Sequence, residues 1–189
     1  MKLFEREYPI PPVFKEVLGS RQSAGALLCI ALLTALAATL WGFNIGSDAT
    51  SVSLWRQVLA WLLMLDIAAG AVANFTPGTN AFYAERPVWR WGFIAIHVHL
   101  PLVGWLLGLP MVPLLWVWAY TIGAAALVNL FDGRHWQAVL AGTLMFAGVL
   151  GITLLPLSPW LMSLAILFMI KVMYAFAVNH YPDQRASTP

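Results

Sequence analysis

Three side chains that could exchange protons lie inside apolar stretches of this 189-residue chain. Asp66 lies within the segment LWRQVLAWLLMLDIAAGAVANF, and His97 and His99 lie in the next apolar segment. A carboxylate in hydrocarbon is costly unless it is paired or faces water, so an intramembrane acid indicates a functional site. A histidine beside a carboxylate is a candidate proton relay or general base, because its pKa lies near neutrality. Asp66, His97 and His99 are therefore the candidate catalytic residues.

The spacing of the two histidines argues against a shared ligand. Residues two apart on a regular helix point about 200° apart, so we expect one histidine to face inward and the other to pack elsewhere. Pro101 can kink the helix here, because it lacks the N–H that would bond the carbonyl of His97. The HxH spacing differs from the i, i+4 spacing of HExxH, and no nearby Glu or Cys completes a ligand set. We therefore expect neither a metal ion nor another cofactor.

A second ionisable residue, Lys171, is expected at the depth of Asp66. Asp66 precedes Asn74 by eight residues and Lys171 precedes Asn179 by eight, and each asparagine ends an apolar segment. Both charges then lie about 12 Å from the level of the asparagines. Buried charges persist mainly by pairing, which predicts an ion pair. The pair is either a structural lock between two spans or part of a working site.

The composition places the chain among membrane proteins. Hydrophobic residues make up 61% of it, charged residues only 10%, and the mean hydropathy is +0.78, whereas soluble domains contain about 25% charged residues. Six segments have close to the roughly 20 apolar residues that a span needs. The predicted fold is an all-α, polytopic bundle of six transmembrane helices, over residues 24–45, 54–75, 91–109, 111–131, 136–155 and 159–180. The net charge is only +2 and the basic residues are scattered along the chain, so no nucleic-acid surface is expected.

The basic residues predict the orientation of the bundle. Lys and Arg concentrate in the polar leader 1–23, in the segment 76–90, in the 132–135 loop and in the tail 181–189. Because basic residues mark the cytoplasmic side, we expect both termini to be cytoplasmic. The six-span domain, 24–180, would then lie in the cell inner membrane as a multi-pass protein.

This topology gathers polar side chains on the cytoplasmic half of the bundle. The segment 76–90 is long enough for a binding loop, and Arg86 and Arg90 in it could hold a phosphate or carboxylate. Alternatively, these arginines mark the inner membrane interface beside Trp89 and Trp91. The candidate ligand-binding residues are Asn74, Thr79, Asn80, Tyr83, Arg86, Arg90, Asn129, Lys171, Asn179 and His180.

Three functions fit these features. The first is a small proton-linked transporter or solute-binding membrane protein, with Asp66 and a histidine beside the solute. The second is an intramembrane enzyme acting on a lipid or isoprenoid, with a histidine as base and Asp66 as its orienting partner. The third is a structural or assembly subunit held together by the Asp66–Lys171 pair. We expect membrane lipids, a small-molecule or lipid ligand, and a second copy or a partner subunit as the possible partners.

Overall fold

The computed structural model describes residues 3–45 and 52–182, which are helical apart from one two-stranded ribbon. The all-α prediction is confirmed. Within these residues, five helical segments are long and apolar enough to cross a membrane. They are Ala24–Ile45 (α2), Leu54–Ala73 (α3), Pro87–Leu107, Met111–Leu130 (α7) and Pro159–Phe176. The segment Pro87–Leu107 consists of two helices, Pro87–Ile96 (α5) and His99–Leu107 (α6).

The remaining predicted span, 136–155, forms a shorter helix, Gln137–Ile152 (α8). Its 16 residues extend about 24 Å, less than the roughly 30 Å of a bilayer core. The helix stops before Pro156, whose ring disfavours helical backbone in the preceding residue. The segment is therefore apolar and helical as predicted, but it is shorter than the other five.

The leader is folded. Strands Glu7–Pro9 (β1) and Arg21–Ser23 (β2) pair antiparallel, with Tyr8 opposite Gln22. Between them lie a 3₁₀ turn at Pro12–Phe14 and a single helical turn, Lys15–Leu18 (α1). The proline pair at 11–12 therefore opens a short connection between the two strands, and this connection packs against the helix Pro77–Ala84 that follows α3.

The segment 76–90, expected to be a long loop, is helical. Pro77–Ala84 forms α4, and α5 begins at Pro87. Thr76 caps α4, because its side-chain oxygen accepts the N–H of Thr79 at 3.4 Å, and Pro77 occupies the first helical position. A threonine N-cap followed by proline is a helix-start signal, and it explains why the loop prediction is wrong.

The last span lies at the centre of the bundle and is the most buried of the five. It begins as an α-helix, Pro159–Met169 (α9), and continues as a π-helix over Ile170–Phe176. The helices α3, α7 and α8 surround it, α2 packs on α3, and α6 packs between α3 and α7. Large apolar side chains also cover the outer surface, such as Leu62, Trp116 and Phe146. Such an extended apolar exterior is what a lipid-facing surface requires.

Candidate functional site

An ion pair joins α3 to the π-helical end of the last span. The Lys171 ammonium donates to Oδ2 of Asp66 and lies 3.3 Å from the backbone oxygen of the same residue. The Lys171 side chain is only 4% exposed, so its charge depends on this partner. Asn74 holds the same turn of the π-helix by donating its side-chain amide to the carbonyl of Lys171 at 3.0 Å. The predicted pairing of Asp66 with Lys171 is confirmed.

The helix that carries the histidines is broken between them. Helix α5 ends at Ile96, His97 has a non-helical ψ of 67°, and α6 begins at His99. Pro101 therefore falls in the first turn of a new helix, where no N–H is required of it. The carbonyl of His97 instead accepts the indole N–H of Trp118 at 3.0 Å. The kink expected from Pro101 is thus a complete break in the helix, and Trp118 satisfies the carbonyl that the break leaves without a backbone donor.

This break brings the two imidazoles together. Their ring centroids lie 4.8 Å apart, and both rings face the same cavity. The expectation that one of them packs elsewhere is wrong, because it assumed a continuous helix. His99 Nε2 lies 3.2 Å from Oδ2 of Asp66, so this carboxylate oxygen accepts a hydrogen bond from Lys171 and also contacts His99.

The hydrogen bonds of the two histidines indicate which ring nitrogens carry protons. His97 Nδ1 lies 2.5 Å from the carbonyl oxygen of Phe93, which can only accept, so Nδ1 is the donor. His99 Nε2 lies 3.2 Å from the Asp66 carboxylate, an ion-pair contact whose negative charge favours a proton on Nε2. This leaves His97 Nε2 and His99 Nδ1 as acceptors, and neither has a hydrogen-bond partner among the described residues. His97 is only 3% exposed, so water reaches it poorly.

A cavity of about 150 Å³ lies in front of these groups. Its polar lining consists of six of the predicted site residues and one residue of the leader: Asp66, Asn74, Tyr83, His97, His99, Lys171 and Glu16. Its apolar lining includes Phe93 and Ile96 of α5 and Gly70 of α3. Paired charges, two imidazole acceptors and an apolar wall therefore meet in one small space.

The tip of the leader closes one side of the cavity. Tyr83 donates its hydroxyl to the carbonyl of Glu16 at 2.9 Å, and Thr79 donates to the carbonyl of Val17 at 3.3 Å. Burial, reinforced by the nearby Glu16 carboxylate, raises the pKa of Tyr83 to about 12. The phenol therefore stays protonated and keeps its bond to the leader.

Glycines allow this close approach of the leader to α4. A Cβ on Gly19 would lie 2.2 Å from the carbonyl carbon of Gly78, and one on Gly78 would lie 2.2 Å from the oxygen of Arg21. Nearby, the buried Gln22 side chain donates to Thr76 at 2.6 Å. Close backbone contacts and buried hydrogen bonds thus hold the leader against the start of α4.

Four other predicted residues lie at the end of the last span and not in the cavity. Arg90, which is buried, donates to Asn129 Oδ1 and to the carbonyl of Ala177, both at 3.0 Å. Asn80 donates to the carbonyl of Val178 at 3.3 Å. The last carbonyls of a helix lack intrahelical donors, and these side chains satisfy two of them. Asn179 lies at the same end and accepts the N–H of Tyr181 at 3.3 Å.

The three remaining predicted residues also lie away from the cavity. The Thr79 hydroxyl links α4 to the leader, because it accepts from the Gln22 amide at 3.5 Å and donates to the carbonyl of Val17 at 3.3 Å. Arg86 donates to the carbonyl of Phe82 at 2.5 Å and lies 3.6 Å from the Glu85 carboxylate. His180 donates to the carbonyl of Tyr174 at 3.1 Å, and burial lowers its pKa. Arg86 and Arg90 therefore do not form an anion clamp at this cavity.

Sequence reasoning missed several residues that shape the site. Phe93 fixes the tautomer of His97, and its ring stacks on Phe176 with centroids 3.6 Å apart. Gln137 donates to the carbonyls of Val128 and Ala177. A glutamine at the start of an apolar helix could have predicted such a buried hydrogen bond, because buried polar groups are normally bonded. The role of Phe93 could not be predicted, because it follows from the helix break at His97.

Within residues 3–45 and 52–182, no group of three or more His, Cys, Asp and Glu side chains is arranged to hold a metal ion. Comparison of the chain with protein-family models, with curated proteins and with solved structures finds no match. The chemistry of the cavity must therefore be argued from its own residues.

Proposed function

We propose that this chain is an integral membrane protein that binds a small ligand in an intramembrane cavity, as a small transporter or solute-binding protein does. The observation that carries this proposal is the convergence of Asp66, Lys171, His97 and His99 on one cavity of about 150 Å³ inside an apolar helical bundle. Ionisable side chains inside an apolar bundle are costly to keep, so their convergence on one cavity indicates a functional site.

The proposal includes six membrane crossings and cytoplasmic termini. The apolar helix Gln137–Ile152 supplies the sixth crossing, with the apolar residues that follow it. Bonds link the leader to α4 through Gln22 and Thr76, and link α4 to Val178 through Asn80, so both described chain ends lie at one end of the bundle. An even number of crossings agrees with this, and the basic residues favour the cytoplasmic side.

Interrupted helices support a ligand-handling role. The break at His97 and the π-helix at Ile170–Phe176 both contribute to the lining of the cavity, through His97, His99 and Lys171. Discontinuous helices at mid-membrane form the substrate sites of many transporters, and π-helical turns occur frequently at functional sites. A purely structural lock between α3 and the last span would need only Asp66 and Lys171.

The test compares ligands that co-purify with the protein. Native mass spectrometry and lipidomics of gently solubilised protein are expected to detect a bound molecule that Asp66→Asn and His97→Ala/His99→Ala lose. His135→Ala is the matched control, since His135 is exposed and does not line this cavity. If wild type carries nothing specific and the cluster variants lose only thermal stability, the cluster is a lock and the proposal is wrong.

One observation favours an enzyme as the second candidate. Asp66 Oδ2 lies 3.2 Å from His99 Nε2, and both residues line the cavity, so a carboxylate lies where it can orient an imidazole base. This is the carboxylate–histidine arrangement of general-base catalysis. An intramembrane enzyme would convert the bound molecule, so a product in the lipid extract that depends on His99 would distinguish it from a carrier.

A further inference from the structure

Glu16, at the tip of the leader, lies where two spaces in the protein meet. It lines both the cavity of about 150 Å³ and an adjoining groove of about 330 Å³. We propose, resting on the proposed function, that the ligand is a hydrophobic ammonium ion. Its positive head pairs with the Glu16 carboxylate, and its apolar body lies in the groove beside Gly92 and Ile96.

The charges of the two linings favour a cation. Lys171 is the only Lys or Arg among the described residues that line the cavity, and Asp66 neutralises it. Of the described residues that line the groove, Glu16 alone is charged. Within residues 3–45 and 52–182, no basic side chain forms an ion pair with Glu16. A surplus negative charge therefore lies at the junction of the cavity and the groove.

Basic residues near Glu16 do not compensate this charge. Lys15 precedes Glu16 in the chain but lines neither the cavity nor the groove. Arg86, at the end of α4, lies 3.6 Å from the Glu85 carboxylate. An anionic ligand would therefore be repelled by Glu16, whereas an ammonium ion would neutralise it. A carboxylate at the edge of an apolar space favours such a partner, because its charge is only partly hydrated there.

A backbone hydrogen bond fixes the position of Glu16. Tyr83 donates its hydroxyl to the carbonyl of Glu16 at 2.9 Å, so this residue is held at the edge of the cavity. The bond does not use the carboxylate, which stays available to a ligand. Burial, and after it the charge of Glu16, raises the pKa of Tyr83 to about 12. The carboxylate therefore acts electrostatically on the wall that the two spaces share.

Trp89 offers a second interaction for a cation. It lines the groove and is 55% exposed, and in the described parts of the chain its ring contacts no other aromatic ring and no cation. Phe93, by contrast, lies against Phe176 and His97, with ring centroids 3.6 and 3.9 Å away. The face of a tryptophan is the best aromatic surface for an ammonium ion. An acid and an open indole face therefore border the same groove.

The rest of the groove suits an apolar body. Val88 and Trp89 are exposed at the start of α5, where a tryptophan suits the membrane interface. Ile96 lies two turns further along this helix, about 10 Å deeper. Between them, a Cβ on Gly92 would meet no atom within 4 Å, so the groove stays open. A cationic amphiphile can therefore keep its head at the interface, beside Glu16, while its body lies along α5.

The experiment labels the protein in phosphatidylcholine nanodiscs with a decyltrimethylammonium ion that carries a photoreactive group and an alkyne. The competitors are untagged decyltrimethylammonium, its uncharged carbon isostere 2,2-dimethyldodecane, and undecanoate. Each competitor is compared between protein variants, so its partition into the bilayer cancels.

Glu16→Gln should raise the concentration of the cation needed for half-competition about fivefold and leave that of the isostere unchanged. The variant keeps the bond from Tyr83, because that bond goes to the backbone. Glu16→Lys should make undecanoate the better competitor. Glu5→Gln is the matched control, since Glu5 is an exposed acid of the same leader that lines neither space.

Gly92→Leu fills the groove and should abolish labelling. Gly123→Leu is its matched control, since Gly123 is also exposed on a helix with no atom within 4 Å of a Cβ. Equal effects of Glu16→Gln on the cation and the isostere, or labelling that Gly92→Leu does not change, overturn the inferred ligand. Native mass spectrometry tests the proposed function separately. A neutral or anionic molecule that co-purifies with wild type and is lost from Asp66→Asn supports that function and overturns the inferred cation.

Discussion

Gly70 provides the space through which Lys171 reaches Asp66. A Cβ on Gly70 would lie 2.5 Å from Cε of Lys171, whose side chain is nearly fully buried. Glycine one turn after the acid therefore allows a long basic side chain to cross the face of α3 and neutralise it. The two charges and this glycine form one structural unit.

Gly70→Ala is expected to displace Lys171 and destabilise the protein by about 1–3 kcal/mol, as overpacking of a core does. The measurement is thermal unfolding in detergent. Gly123→Ala is the control, because nothing lies near its Cβ and alanine favours a helix. If the two variants unfold alike, Lys171 has another route to Asp66.

Removal of either charge alone should be more harmful than removal of both. Asp66→Asn leaves the buried Lys171 charge unpaired, at a cost of about 3–5 kcal/mol. Lys171→Met should cost less, because the Asp66 side chain is 30% exposed and keeps its contact with His99. The double variant removes the unpaired charge and should recover much of that loss. A double-mutant cycle on the unfolding free energies measures the coupling. Additive losses would mean that the two residues act independently.

The helix break should matter for the site more than for stability. Pro101→Ala supplies a backbone N–H that can replace the Trp118 indole as donor to the carbonyl of His97, so α5 and α6 can join and the two imidazoles diverge. We expect a folded protein that no longer retains the ligand that co-purifies with the wild type. The control is Pro110→Ala, since Pro110 is exposed in the turn before α7. Retained binding in Pro101→Ala would show that the break is not required.

The leader should detach when its glycine contact is lost. Gly19→Ala places a Cβ against Gly78 and is expected to expose Lys15 and Arg21 to trypsin. Gly108→Ala is the control, because Gly108 has a similar positive φ of 69° but no atom within 4 Å of its Cβ. Equal cleavage of both variants would assign the effect to backbone strain and not to docking.

Burial of Tyr83 predicts a loss of stability at high pH. Its pKa of about 12 in the folded protein exceeds the ordinary value of 10.0, so the unfolded chain loses this proton first. The unfolding free energy should therefore be independent of this group below pH 10 and should fall as the pH rises from 10 toward 12. Tyr83→Phe should lack this decline. Chemical denaturation at several pH values provides the measurement.

The amino-acid sequence was sufficient for properties that depend on composition and depth. The helical class, the helix Ala24–Ile45 and the pairing of Asp66 with Lys171 all follow from hydropathy, turn residues and the cost of buried charge. The convergence of His97 and His99 was not foreseen. Helical periodicity applies only while the helix continues, and Pro101 together with Trp118 ends it.

The roles of the predicted polar residues were harder to foresee. Asn80, Arg90 and Asn129 look like ligand-binding side chains by type, yet they bond to one another or to carbonyls at the end of the last span. A sequence does not reveal which backbone groups need donors until the helix ends are known. The excursion of the leader over the cavity depends on contacts between residues far apart in the chain, such as Gln22 with Thr76.

The Asp66–Lys171 pair also has a consequence for biogenesis. The two residues are 105 positions apart, so the ribosome releases the helix bearing the acid long before the one bearing its partner. A charge at the centre of an inserting helix costs about 2.5–3.5 kcal/mol on translocon scales, and here that cost persists until the helix that bears Lys171 has been inserted. Nascent chains stalled before the Lys171 helix should therefore be recognised by membrane quality control, which makes insertion of that helix a checkpoint for assembly of the bundle.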